Sequence, residues 1–155
     1  VAEVIGQPVK EAMLQRLAGK NRRLKMLLNS PLLSRTPGTV FLKGDYDTVK
    51  GLGAFFKELK FNVAHSVCTH KITGTAAEGI EYFKEEKEYL QLLKDIHHCL
   101  VLADEDTMAK ADATNFKICV SHPCFSHRTI ANHLPFMGEW GADMLFEYIQ
   151  QYVNM

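Results

Sequence analysis

Short apolar runs alternate with amphipathic stretches through most of the chain, and this alternation is what most limits its possible folds. Residues 39–42 (Thr39-Val40-Phe41-Leu42) form a β-prone run ending at Gly44. Val49, Leu52, Phe55, Phe56 and Leu59 then recur at helical spacing, after Asp45 or Asp47 as a helix cap. Residues 61–67 read as a second strand. Residues 76–93 read as a long helix carrying Ile80, Phe83, Tyr89, Leu90 and Leu93. Residues 98–103 follow as a third strand, 107–115 as a short helix and 116–120 as a fourth strand. A loop over 121–136 leads to a closing helix over 140–153, with Met144, Leu145, Tyr148, Ile149 and Tyr152 inward. Strands that alternate with helices imply crossover connections and a parallel sheet. The strands are almost unbroken in apolar character, which fits burial on both faces. The expected fold is α/β, Rossmann-like: a small parallel sheet of about four strands with helices on both faces, burying Val40, Leu42, Val63, Val101 and Ile118.

Before this pattern, Val9, Met13, Leu14, Leu17, Leu24, Leu27 and Leu28 mark a further helix, interrupted by Gly19. Asn29-Ser30-Pro31 and Arg35-Thr36-Pro37-Gly38 form a turn-rich connector. Residues 1–30 are therefore expected as an N-terminal helix packing on a domain spanning 39–155. The chain opens at Val1 without an initiator methionine and reads as a fragment of a larger multi-domain subunit.

Eighteen basic residues balance eighteen acidic ones, so no net field steers the molecule toward nucleic acid or an anionic membrane. The basic stretch over 16–25 and the acidic one over 81–88 both sit in helical patterns and read as solvated faces. No apolar run approaches the roughly 20 residues of a membrane span, and no signal peptide is visible. The four cysteines, Cys68, Cys99, Cys119 and Cys124, lack C-x-x-C spacing. Reduced thiols and a cytoplasmic location are expected.

Ligands of such sheets gather at the carboxyl ends of the strands. Four segments reach that edge: Gly44-Asp45-Tyr46-Asp47, Cys68-Thr69-His70, Asp104-Glu105-Asp106, and the loop opening at Ser121-His122-Pro123-Cys124. The first segment holds no G-x-G-x-x-G, and Asp45 and Asp47 would repel a pyrophosphate from the helix start. Cys68-x-His70, His97-His98-Cys99 and Cys119-x-x-His122-x-Cys124 collect soft ligands, yet without paired knuckles no metal held by this chain alone is expected. A Cys124 thiolate paired with His122 or His127 lacks a third orienting group, so covalent hydrolysis is not expected.

Three stretches, in order, carry a resemblance. Val4-Ile5-Gly6-Gln7-Pro8-Val9 is similar to an "I-x-G-x-P-(I/V)-P-E" segment. Gly44-Asp45-Tyr46-Asp47-Thr48-Val49-Lys50-Gly51-Leu52, ending in Phe56-Lys57-Glu58-Leu59, is similar to "G-D-P-D-x-x-x-G-L…FLxELG". His122-Pro123-Cys124-Phe125, followed by Leu134-Pro135-Phe136-Met137-Gly138-Glu139-Trp140-Gly141-Ala142, is similar to "F-P-(I/V)-F…G-Y-x-G-A". Together they resemble the C-terminal domain of nitrogenase component 1-type oxidoreductase subunits, over essentially the whole chain. In that family the Gly-Asp pair ends a strand and caps a helix, Gly51 would permit close helix–sheet packing, and Gly138 and Gly141 would shape the corner before the last helix.

The resemblance implies a part of a multi-electron reductase, as in nitrogen fixation or tetrapyrrole reduction, or of a cofactor-assembly scaffold. It implies a heteromeric complex with a sister subunit and an ATP-dependent iron–sulfur reductase protein. It also implies an iron–sulfur or iron–molybdenum-type cluster, or a tetrapyrrole substrate, in the intact complex. The cluster-bearing cysteines of the family belong to an upstream domain, so the isolated chain would carry no cofactor and no activity. In the family's cofactor-holding subunit the loop before "G-Y-x-G" gives a histidine ligand. Counting back from Gly138 reaches Arg128, with His127 beside it. The loop follows the final strand, and by that place and their side-chain chemistry its expected cofactor-binding residues are His122, His127, Arg128 and His133. The rival expectation is a stand-alone, non-catalytic interaction module resembling BRCT domains, which lack the long N-terminal helix and the Gly138/Gly141 corner.

Overall fold

A computed structural model describes residues 38–74, 78–121 and 138–153, with helical backbone also at Gln15, Ala18 and Gly19. The chain divides into two compact units, Val1–Thr36 and Pro37–Met155. The second unit holds the sheet.

Its elements run β1 (Thr39–Gly44), α1 (Tyr46–Glu58), β2 (Asn62–Cys68), α2 (Glu86–Asp95), β3 (Leu100–Ala103), α3 (Glu105–Lys110), β4 (Phe116–Cys119) and α4 (Gly138–Val153). All the strand pairs are parallel and the order is β2-β1-β3-β4. Val40, Phe41 and Leu42 of β1 and Leu100, Val101 and Leu102 of β3 are each at most 1% exposed. These two central strands are covered on both faces, as their unbroken apolar runs require.

Side-chain alternation sorts the helices. Phe41, Val101 and Ala103 point to one face and pack with Tyr89, Leu93 and Ile96 at α2 and with Ala111 after α3. On the other face, Gly53 brings α1 over Leu42, where an added Cβ would lie 3.7 Å from the Leu42 side chain. Helix α4 joins α1 there through the Phe55–Phe146 ring pair, 5.6 Å between centroids. The chain leaves β1 for β2 through α1 on one face, then returns past β1 to β3 through α2 on the other. The adjacent strands β1 and β3 thus depart in opposite directions, which makes a topological switch point between their ends.

Several expectations need correction. The helix expected over 76–93 begins only at Glu86. Glu81 instead lies along β2, its N–H donating to Ser66 O at 2.8 Å and its C=O accepting from Cys68 N–H at 2.9 Å. Gly79 before it has φ 73°, outside helical geometry. The third strand starts at Leu100 because His98 holds φ 54°. Val63 is half-buried, since β2 is an edge strand. The helix glycine buried against the sheet is Gly53, not Gly51. Gly138 starts α4 and Gly141 lies in its first turn, so neither precedes the helix. The short helix also starts at Glu105 and ends at Lys110, ahead of the expected 107–115, because Asp104 caps it.

Candidate functional site: the carboxyl edge at the β1/β3 switch point

Two aspartates end the central strands and begin the helices after them. Asp45 caps α1, its Oδ1 accepting from Thr48 N–H at 2.8 Å. That bond, followed by one from the Thr48 hydroxyl, holds the Asp45 carboxyl below its usual value, with His70 adding to the same effect. Asp104 caps α3 in the same way, accepting from Thr107 N–H at 2.8 Å. An Asp followed three residues later by Thr, directly after an apolar run, is the local signal for both caps.

Asp104 differs from Asp45 in its burial, with only 3% of its side chain exposed. Lys43 Nζ lies 2.8 Å from Asp104 Oδ2 and donates to Thr107 Oγ1, also at 2.8 Å. Thr107 Oγ1 donates to Asp104 Oδ2 at 2.9 Å and accepts from the Tyr89 hydroxyl at 2.7 Å. The ammonium also stands 4.7 Å from the Tyr89 ring centroid, a cation–π distance. Burial alone would raise the Asp104 carboxyl, but Lys43 and the two Thr107 bonds outweigh it, and the net direction is down. Burial pushes the Tyr89 phenol up. Every buried polar side-chain atom among the described residues has a partner. This cluster of Lys43, Tyr89, Asp104 and Thr107 is a satisfied network joining β1, α2 and α3. The sequence reading named Asp104 at this edge but missed the other three. Lys43, a lone cation ending an apolar strand, was the available signal.

The chain leaving β4 reaches the same place. Val120 N–H donates to Ala103 O at 3.0 Å, and Ser121 Oγ donates to Lys43 O at 3.2 Å. Thr69 N–H donates to Gly44 O at 3.0 Å. Three of the four expected segments therefore meet the ends of β1 and β3 within the described residues, and Ser121 represents the fourth. His122, His127, Arg128 and His133 lie outside the described residues, as does Cys124.

The described cysteines are Cys68 and Cys99, both buried, and the half-buried Cys119. Cys68 ends β2 and Cys119 ends β4, three strand spacings or about 14 Å apart. A shared metal with bonds to sulfur of about 2.3 Å cannot join them. Among the described residues no group of three His, Cys, Asp or Glu is placed to hold a metal. The described donors thus do not fit an iron–sulfur cluster. No described helix is long and apolar enough to cross a membrane.

No protein-family profile matches the chain, and no curated protein matches it by sequence. Among solved structures, a chain described as nitrogenase Cp1 at pH 6.5 matches with a TM-score of 0.72 and 16% identity. The match covers 98% of this chain and 35% of that one, so the chain spans about a third of its neighbour's length. At that identity the likeness is one of fold: this chain has the α/β fold of a part of nitrogenase Cp1.

Proposed function

We propose that this chain is the C-terminal domain of a nitrogenase-like component 1 oxidoreductase subunit, serving a multi-electron reductase or a cofactor-assembly scaffold. The observation that supports it is the backbone match to nitrogenase Cp1 over nearly the whole chain. The order of the three sequence motifs around Gly6, Gly44 and Gly138 points the same way. The loop carrying His122, His127, Arg128 and His133 walls a cofactor or substrate cavity at the carboxyl edge, where α/β sheets bind ligands. Imidazoles and a guanidinium suit that role because they coordinate metal, move protons or hold an anionic group. A sister subunit and an ATP-dependent iron–sulfur reductase complete the assembly, and the cluster is held with residues from elsewhere in it.

The test is made in the intact protein that contains this chain, purified anaerobically with its partners. Alanine at His127, Arg128 and His133 is expected to lower bound cofactor or turnover while the melting temperature holds. Wild-type cofactor content and turnover in all three variants would remove the loop from the site. A parent protein without iron or tetrapyrrole in any preparation would favour the stand-alone interaction module instead.

A further inference from the structure

We propose that residues 79–85 form a strap on the β2 edge that opens as a unit, and that its closure positions Tyr89 and, through Tyr89, the Lys43–Asp104 pair at the carboxyl edge. The strap is held far less firmly than a full strand. Glu81 N–H donates to Ser66 O at 2.8 Å, and Cys68 N–H donates to Glu81 O at 2.9 Å. These two bonds make an isolated bridge to β2 rather than a ladder. His65 Nδ1 lies 3.0 Å from Glu81 Oε1, but both side chains are partly exposed, where such a pair adds little. Neither end of the strap is firmly fixed. Gly79 turns the chain with φ 73°, and Glu85 precedes α2 without a side-chain cap bond. The bond from Tyr89 N–H to Glu85 O that opens α2 is long, at 3.5 Å. Between these ends Tyr82 is 45% exposed, the one large hydrophobic side chain left to solvent among the described residues. A segment with so few backbone bonds and an uncapped helix start opens ahead of the sheet it lies on.

Phe83 carries the strap's position inward. It packs against the core cluster on the α2 face, with its ring 5.9 Å from that of Tyr89. Tyr89 stands 6.5 Å from Phe41, and Phe41 stands 6.1 Å from His65, the partner of Glu81. The closed strap therefore grips one aromatic group from two sides, through Phe83 and through Glu81 with His65. Tyr89 passes that constraint on, since its hydroxyl donates to Thr107 at 2.7 Å and its ring faces the Lys43 ammonium at 4.7 Å. When the strap opens, Tyr89 loses the ring packed against it, and its hydroxyl is no longer fixed where Thr107 receives it. Phe83 is thus a positioning residue, and the strap is a two-state element at the β2 edge that biases the network at the carboxyl edge. The inference stands apart from the nitrogenase-like reading, since it uses only contacts within this chain.

The experiment is native-state amide exchange of the isotopically labelled 155-residue chain, read by NMR. In the unaltered chain the Glu81 and Cys68 amides should share one protection factor, at least about tenfold below that of Val101, and keep it in dilute denaturant, as local opening requires. Protection at Glu81 and Cys68 equal to that at Val101 would overturn the strap. Transmission is read at the Thr107 amide, which the Asp104 carboxylate holds. Phe83→Ala should lower protection about fivefold at Glu81, Cys68 and Thr107, the loss expected for one aromatic pair. Asn62 and Phe116, bonded at the opposite edge to Gly38 O and Cys99 O, should keep theirs. Phe83→Tyr keeps the ring and should restore the Thr107 rate. Glu81→Pro removes the N–H to Ser66 and leaves Phe83 in the sequence, so it lifts the strap by a second route with the same expected loss at Thr107. Unchanged Thr107 protection in either variant, or equal losses at Thr107 and Phe116 in both, would overturn the coupling.

Discussion

Lys60 occupies backbone that suits glycine. Its φ is 64°, and it follows α1 as Phe61 N–H reaches back to Phe56 O and Lys60 N–H to Lys57 O. This is the double-bonded helix stop in which a left-handed residue is needed, at a cost of about 1 kcal/mol when it carries a Cβ. Lys60→Gly is expected to stabilise the chain by about 0.5–1 kcal/mol, seen as a melting point about 3 °C higher. Gly38 is the opposite case. A Cβ there would stand 2.6 Å from Tyr152 Cε1 and 3.0 Å from Phe61 Cε1. Tyr152 cannot retreat freely, since its hydroxyl donates to His98 O at 2.9 Å. Gly38→Ala should therefore cost about 1–3 kcal/mol in denaturant unfolding. Neither effect is legible from the sequence: a lysine after a helix and a glycine before a strand are both ordinary, and only the backbone angle and the neighbouring ring distinguish them.

At the scale of elements, Lys43 and Asp104 tie β1 to α3. Removing the cation strands a carboxylate with 3% of its side chain exposed. Lys43→Met should lower stability by about 3 kcal/mol, while Lys43→Met combined with Asp104→Asn should recover part of the loss. The pair also sets an acid limit. The Asp104 carboxyl is depressed in the fold, so the unfolded chain binds the proton more readily. Its stabilisation is complete above the ordinary value of 3.8 and is lost as pH falls through the lower folded value. Asp112, pushed down to about 2 chiefly by the Thr114 hydroxyl and then its N–H, acts in the same direction. Acid unfolding followed by circular dichroism should show stability falling below about pH 4, with a shallower fall in Asp104→Asn.

The elements themselves were largely visible in the sequence. All four strands and the four helices of the sheet unit overlap, in the expected order, the ranges that apolar runs and helical spacing mark out. The largest boundary shift, ten residues at the start of α2, has a physical cause. Ile80 and Phe83 mimic the first turns of a helix, but Glu81 is held along the β2 edge by two backbone bonds and His65 Nδ1 lies 3.0 Å from its Oε1. Tertiary pairing overrides local spacing there. The candidate site was legible as an edge, from the strand ends, but not as a network, because Lys43, Tyr89 and Thr107 come together only through the sheet order.

Across the whole molecule, protection from exchange should follow that order. β1 and β3 have strand neighbours on both sides, whereas β2 and β4 each leave one side toward the sheet edge. Amides of Val40, Leu42, Val101 and Leu102 are expected to be the slowest in the sheet, and those of Val63 and Ala64 on the edge strand among the fastest. Comparable rates across the four strands would contradict the central placement of β1 and β3. The edge at β2 carries its own protection. The register shifts between Val40 and Phe41, where Ala64 is left without a partner, and Glu81 shields the Val67 end. A bulge and a short cover of this kind discourage pairing with another chain.

The position of β1 between β2 and β3 also fixes the order in which a ribosome can complete the sheet. Strand β2 emerges soon after β1, and the two can pair around α1. The other side of β1 waits for β3, since Val40 pairs with Leu100, sixty residues later in the chain. During that interval Val40, Phe41 and Leu42, each fully buried in the finished fold, present an open strand edge and one uncovered apolar face. Translation supplies about 5–20 residues per second, so this exposed intermediate lasts for seconds. A pause in synthesis before Leu100 lengthens its exposure, and a release at that point leaves a βαβ unit with an adhesive edge. The same central strand that makes the folded sheet its most protected part is the part most in need of shelter while the chain is being made.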